Sequence, residues 1–366
     1  MYAGVSLAYR YIIFADRRFI DKAWLEIRLM LLRSGGCKMV PIPECEVALA
    51  FETPLEPARL FPLFEEKQLK YVDAIMPIRD WIANYKTDMS DIEASLAGIA
   101  ERGKSFKIEV RRIDTDVELS AKTIEVQLGR KLEAGGFTAD LNSPQMRILV
   151  ALIWNNAIIA ADEPRYYNTN IDKFRLFNPV AKESVSRAEF KLIEALEYFR
   201  IDPKGMARCI DLGAAPGGWS AVMMRNGSRV VAIDNAALDY EKLSKLGKVE
   251  ITDAAINAPE RWDLLHVKTN VRDLDPAKLD RFGPFDAILV DMNIESDKCA
   301  MFVDRFTQLL RAGGVLILTI KLVDERIETH IDKAQGLLTP YFENFKVKKL
   351  PHNRMELTMY ATKRHG

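Results

Sequence analysis

The chain is poor in the residues that build small metal centres and disulfide frameworks: 366 residues include four cysteines and four histidines. Cys37, Cys45, Cys209 and Cys299 contain no C-x-x-C pair, and His266, His330, His352 and His365 are not spaced to complete a ligand set with them. A structural zinc or disulfide scaffold is therefore not expected, no metal is expected, and a reducing cytosol is the simpler setting. An excess of one charge is also lacking, since Lys plus Arg and Asp plus Glu each total 52. That excludes a tail-driven polyanion binder but not a local basic surface for nucleic acid. No uncharged run approaches the ~20 residues that span a bilayer. The opening MYAGVSLAYRYIIFADRR is split by Arg10 and closed by Asp16, so it reads as a strand rather than a signal peptide. The expectation is a soluble, cytoplasmic protein with no membrane partner, its oligomeric state left open.

What is present is apolar material, 48% of the chain, enough for two or three domains. Residues 9–15 read as a strand, 20–33 as a helix closed by Ser34-Gly35-Gly36, 47–51 as a short strand and 57–70 as a helix. In GKSFKIEVRRIDTD, Phe106, Ile108 and Val110 alternate with charged residues, as in a half-buried strand. Ser120 precedes a helix in which Ile124, Leu128 and Leu132 recur every four residues until Gly135-Gly136. Met146–Ala157 reads as one more buried strand, and residues 161–180 as a polar, aromatic linker. From Ser186 onward the pattern becomes repeated strand–helix units: Ala207–Asp211, Arg229–Asp234, Leu264–Asn270, Phe285–Asp291 and Gly314–Ile320 are the strands of a mostly parallel sheet. A late strand, Arg354–Thr362, joins antiparallel at an edge or inserts between others; the pattern leaves both open.

At the carboxyl end of the first of these strands stands Asp211-Leu212-Gly213-Ala214-Ala215-Pro216-Gly217-Gly218-Trp219. Glycines there let backbone approach a ligand closely. The loop is neither G-x-G-x-x-G nor a P-loop, which weakens dinucleotide and ATP readings. Asp234, 21 residues beyond Gly213, ends the next strand where a carboxylate could hold a ribose diol.

Residues 186–362 resemble the FtsJ-like ribose 2′-O-methyltransferases in SRAEFKL (186–192), DLGAAPGGW (211–219), DAILVDM (286–292), LTIKL (318–322) and RMELTMYAT (354–362). The resemblance implies an α/β fold: a Rossmann-like S-adenosylmethionine-dependent methyltransferase sheet. It places the family's catalytic set on Lys191, Asp291, Lys321 and Glu356. The cofactor residues fall on Gly213, Pro216, Gly217, Gly218, Trp219, Asp234, Asn270 and Asp291, with Asp273 the alternative to Asn270. Lys321 would orient the hydroxyl and, if its pKa were depressed from ~10.4, accept its proton.

Residues 60–170 resemble a THUMP domain, an RNA-binding module, making the region ahead of the sheet α+β. The domain expectation is then a small α+β unit at 1–60 (extending to 90 at most), the THUMP-like region at 60–170, a linker at 171–185 and the methyltransferase domain at 186–366. That order is similar to the large-subunit ribosomal RNA 2′-O-methyltransferase M group. It implies RNA as partner, ribosomal RNA first and tRNA as the alternative. A non-catalytic RNA-binding or assembly factor that retains the fold is the reading from another class. Candidate RNA contacts are Arg111, Arg112, Lys122, Arg130, Lys131, Arg165, Lys173 and Arg175.

Overall fold

The computed structural model describes residues 9–67, 69–163, 184–257, 259–322 and 326–365. The chain forms two compact units, Met1–Thr169 and Asn170–Gly366, and each holds an eight-stranded sheet.

The first unit has strands β1 (Tyr9–Phe14), β2 (Lys38–Val40), β3 (Ala48–Thr53), β4 (Ala74–Ala83), β5 (Ser105–Ile113), β6 (Thr138–Ala139), β7 (Met146–Ile153) and β8 (Asn156–Asp162). Their order is β2-β3-β1-β4-β8-β7-β5-β6. Strand β4 joins the two halves of this sheet: Ala74–Pro77 pair with β1, and Ile78–Ala83 pair with β8. Strands on both sides of residue 60 thus lie in one continuous sheet.

The helix Ala121–Ala134 starts where Ser120 accepts a hydrogen bond from the Thr123 backbone N–H, and it buries Ile124, Leu128 and Leu132. The apolar run Met146–Ala157, read from sequence as one strand, is instead most of a hairpin, β7 and β8, with Ile153 paired to Asn156. Trp154 makes the turn at φ 52°. The run has no visible period because both faces of β7 are covered: Val150 and Leu152 enter one core, Leu149, Ala151 and Ile153 the other. Strand β8 continues to Asp162, into what reads as the start of a linker.

The second unit has β9 (Arg208–Leu212), β10 (Arg229–Ile233), β11 (Val249–Thr252), β12 (Leu264–Val267), β13 (Phe285–Val290), β14 (Leu310–Lys321), β15 (Phe342–Lys348) and β16 (Glu356–Lys363). The order is β11-β12-β10-β9-β13-β14-β16-β15. Strands β9 to β14 are mutually parallel where they pair, while β16 is antiparallel to both β14 and β15. Of the two placements open from sequence, the late strand takes insertion. Chain order reverses between β9 and β13, and the crevice outside their carboxyl ends is where such sheets bind ligands. The helices Ala188–Tyr198 and Gly218–Arg225 supply Leu192, Ala195, Ala221 and Val222 to the core on this sheet. No helix among the described residues is long and apolar enough to cross a membrane.

Candidate active site

The glycine loop follows β9 at the reversal point. Gly213 has φ +77° and Gly217 φ +109°, both in the left-handed region that favours glycine. A Cβ on Gly213 would lie 2.3 Å from Met292 Cγ, and one on Gly218 would lie 2.3 Å from Ser186 Oγ. The loop is thus held between the segment that opens the domain and the residue following Asp291. The Asp234 carboxylate accepts from the Ala215 N–H at 3.0 Å and the Ala236 N–H at 2.8 Å. Each of its oxygens keeps lone-pair capacity for a hydroxyl.

Asn270 is half-buried three residues beyond β12, its Oδ1 accepting from the Arg272 N–H at 3.1 Å. Asp273 is exposed and pairs with Arg272 at 3.4 Å. Trp219 is 2% exposed, and its indole N–H donates to Ala188 O at 2.8 Å. Its side chain locks the helix carrying Lys191 onto the loop, which leaves its backbone to face a ligand.

The four residues expected to act together are brought together. Lys191 Nζ lies 3.2 Å from Asp291 Oδ2 and pairs with Glu356 Oε1. Lys321 Nζ lies 3.5 Å from Asp291 Oδ1 and pairs with Glu356 Oε2. Each carboxylate touches both lysines, so two positive and two negative groups alternate and cancel. Their side chains are 5 to 17% exposed, so the pairing is little screened by solvent.

Burial lowers the Lys321 pKa, but Asp291 and then Glu356 outweigh it and the net shift is upward. Burial raises the Glu356 carboxyl, and the two lysines reverse that to a net lowering. Lys321 is therefore held as an ammonium. The depressed pKa that a general base would need is not present, because each charge sits beside opposite partners.

Three neighbours of the site were not assigned to it from the sequence. His266, inside the apolar run of β12, is fully buried; its Nε2 donates to Asp234 O at 3.0 Å and its Nδ1 accepts from Tyr240 Oη at 2.7 Å. Burial lowers its pKa, which suits a neutral ring that holds the backbone at Asp234. Asp211 is buried with Ser220 Oγ donating to it at 2.7 Å, and burial pushes its pKa up to about 7. Phe190 stacks on His352 with centroids 5.0 Å apart, and His352 pairs with Glu194.

The candidate RNA contacts divide. The Arg111 guanidinium lies 4.3 Å from the centre of the Phe14 ring and pairs with Glu109 at 3.2 Å, and Arg112 donates to Val117 O. Both are committed within the unit. Lys122 and Lys131 are exposed, paired loosely with Glu125 at 3.1 Å and Glu93 at 3.4 Å. Arg130 is exposed. Arg165, Lys173 and Arg175 lie outside the described residues, as does most of the expected linker.

The strand order, with an antiparallel strand inserted next to β14, together with the loop and the tetrad, defines a Rossmann-like methyltransferase domain. Residues 184–356 match the family described as FtsJ-like methyltransferase, so this part of the chain is an FtsJ-like methyltransferase domain. An uncharacterized protein of Methanocaldococcus jannaschii is 23% identical over 199 residues, covering 53% of this chain and 51% of its own length. Ribosomal RNA large subunit methyltransferase M of Shewanella frigidimarina is 29% identical over 172 residues, covering 43% of this chain and 46% of that protein. Ribosomal RNA large subunit methyltransferase E of Acidiphilium cryptum is 58% identical over 55 residues, covering 15% and 24%. The chain spans about half of the first two relatives and less of the third.

The cofactor of such domains is S-adenosylmethionine, and the donor set here fits it. The loop DLGAAPGGW carries no Lys or Arg to neutralise a polyphosphate. Tight backbone, a carboxylate at the end of β10 and an amide beyond β12 suit an uncharged nucleoside with a cationic sulfonium.

Proposed function

We propose that this domain transfers a methyl group to a ribose 2′-hydroxyl of RNA, and that the substrate is ribosomal RNA. The observation that carries the reading is the closed Lys191–Asp291–Lys321–Glu356 tetrad beside a glycine loop without basic side chains. S-adenosylmethionine, when bound, supplies an electrophilic methyl group. Gly213, Pro216, Gly217, Gly218, Trp219 (through its backbone), Asp234, Asn270 and Asp291 are the residues that would hold it.

The remaining work falls to the chain itself. A neutral ribose hydroxyl is a weak nucleophile and must be aimed. Lys321, kept as an ammonium, fixes the direction of the hydroxyl; as the new C–O bond forms and the methyl–sulfur bond breaks, the hydroxyl proton passes to a carboxylate oxygen of Asp291 or Glu356, which leaves a neutral ether. Asp291 and Glu356 fix both lysines, which cancels charge that would otherwise repel a sulfonium. Lys191 completes the ring and is positioned by its helix, itself anchored through Trp219 to the loop.

Relatives named ribosomal RNA large subunit methyltransferase M and E support ribosomal RNA as the target. Residues 60–170 serve as the THUMP-like RNA-binding part, with Lys122, Arg130 and Lys131 as its exposed cations, and the protein works in the cytoplasm. The test supplies purified protein and labelled S-adenosylmethionine to ribosomal RNA and tRNA pools from cells lacking it, then maps the labelled nucleotide. A 2′-O-methyl signal in ribosomal RNA is expected. A signal only in tRNA would replace the substrate, and silence in both pools with the cofactor bound would turn the reading to a non-catalytic RNA-binding factor.

A further inference from the structure

Beyond methyl transfer, and independently of it, the opposite end of the same sheet carries a second built site. Arg208 opens β9 and Arg229 opens β10, so the length of a strand, about 16 Å, separates them from the glycine loop. With Arg281, Trp262, Phe282 and Glu260 they line a cavity of about 240 Å³.

The three guanidiniums are fixed in place without being neutralised. Arg229 lies 4.2 Å from the centre of the Trp262 ring, and its Nε donates to Trp262 O at 3.0 Å. Arg281 lies 4.6 Å from the centre of the Phe282 ring and donates to Ile256 O. Arg208 Nη1 donates to Gly283 O at 2.8 Å. Trp262 and Phe282 brace each other edge to face at 5.4 Å. All these acceptors are backbone carbonyls or ring faces. Among the described residues, none of the three arginines forms an ion pair with a carboxylate. The neighbouring Asp286 is occupied by the Arg208 backbone N–H at 3.0 Å and by Arg311 Nε at 2.6 Å. Glu260 leaves the lining with two positive charges in excess.

Trp262, which lines this space, is 5% exposed, so its indole is a reporter placed beside the three guanidiniums.

We propose that Arg208, Arg229 and Arg281, gathered around Trp262, form a binding site for a phosphate group. Each guanidinium offers five donors in a planar fork, and the contacts above use only one or two of them. Three such forks around one cavity suit an anion with several oxygens on a tetrahedral centre, where a carboxylate would satisfy one fork. S-adenosylmethionine contains no phosphate, so the site is not a part of the cofactor pocket. The phosphate comes either from the RNA backbone, engaged on the far side of the domain from the methyl-transfer centre, or from a free nucleotide or inorganic phosphate.

The experiment follows the Trp262 indole N–H by ¹⁵N NMR on the full chain, with the signal assigned from its loss in Trp262→Phe. Inorganic phosphate, AMP and a short single-stranded oligoribonucleotide are titrated in turn. Phosphate is expected to move this signal saturably, and Arg208→Gln and Arg281→Gln each to weaken binding about tenfold. A shift by the oligoribonucleotide at far lower concentration assigns the RNA backbone; saturation by phosphate or AMP with no response to the oligoribonucleotide assigns a free phosphate. An unmoved indole signal with all three probes overturns the proposal, as does wild-type affinity in both arginine variants. S-adenosylmethionine affinity, read on the same samples, separates a lost site from a damaged fold.

Discussion

Lys321 and Glu356 are the last cross-strand pair of the β14–β16 ladder, directly opposite in register, and their charged ends meet at the carboxyl edge of β14. The pairing depends on β16 running antiparallel between β14 and β15. In a purely edge-on placement beyond β15, the glutamate would lie a further strand away. Insertion therefore closes the tetrad, and closing the tetrad keeps Lys321 protonated.

Removing that ammonium should separate chemistry from binding. Lys321→Ala is expected to lower methyl transfer by at least about a hundredfold while leaving S-adenosylmethionine affinity nearly unchanged. Single-turnover methylation alongside calorimetric cofactor binding checks this. Transfer at the wild-type rate would reject the assignment of Lys321.

Glu356→Gln removes one of the two carboxylates that hold the lysines charged. The lysine pKa should fall, the transfer rate should drop about tenfold or more, and the alkaline limb of the pH profile should move to lower pH. In the wild type the signs are opposite for the two partners. Glu356 is depressed, so its contribution to stability is present above its unfolded value, near 4.5, and is lost as pH falls through the lower folded value. Lys321 is raised, so its contribution is present below 10.5 and is lost as pH rises through the higher folded value. An alkaline limb that stays in place in Glu356→Gln would contradict the charge-holding role.

Asp211 is expected to lower stability as the medium becomes neutral. Its folded pKa is about 7 because burial penalises the carboxylate, against 3.8 unfolded. Stability is therefore fully present below 3.8 and declines as pH rises through about 7. Asp211→Asn keeps an acceptor for Ser220 and removes that penalty. Its melting temperature relative to wild type should be higher at pH 8 than at pH 4, as thermal unfolding at the two pH values will show; a constant difference would mean that Asp211 is not held protonated.

The loop glycines should not tolerate a methyl group. At Gly213 a Cβ would press Met292 Cγ at 2.3 Å on a backbone of φ +77°. Gly213→Ala should cost about 1–2 kcal/mol in left-handed strain alone and weaken cofactor binding. At Gly36, also φ +75° but with nothing within 4 Å, alanine should cost the strain without any effect on cofactor affinity. Denaturant unfolding and cofactor titration distinguish the two, and equal cofactor affinity in both variants would remove the loop from the binding site.

The strand–helix alternation after Ser186 and the strand-end position of the glycine loop and Asp234 could be read from the amino-acid order, whereas the four tetrad residues followed only from the family resemblance. Hydrophobic periodicity, helix caps and glycine freedom act over a few residues and leave a mark in the local pattern. The hairpin at Trp154 escaped that pattern, because a strand buried on both faces has no alternation to interrupt. The commitment of Arg111 to Phe14 and of the Trp219 indole to Ala188 was equally invisible, since each partner lies far along the chain. Only the tertiary structure decided that Arg354–Thr362 inserts rather than flanks, and hence that Lys321 stays charged. Strand order and pKa are non-local quantities: Lys191 and Asp291 are 100 residues apart, Lys321 and Glu356 35, and the field at each is set by neighbours that folding alone assembles.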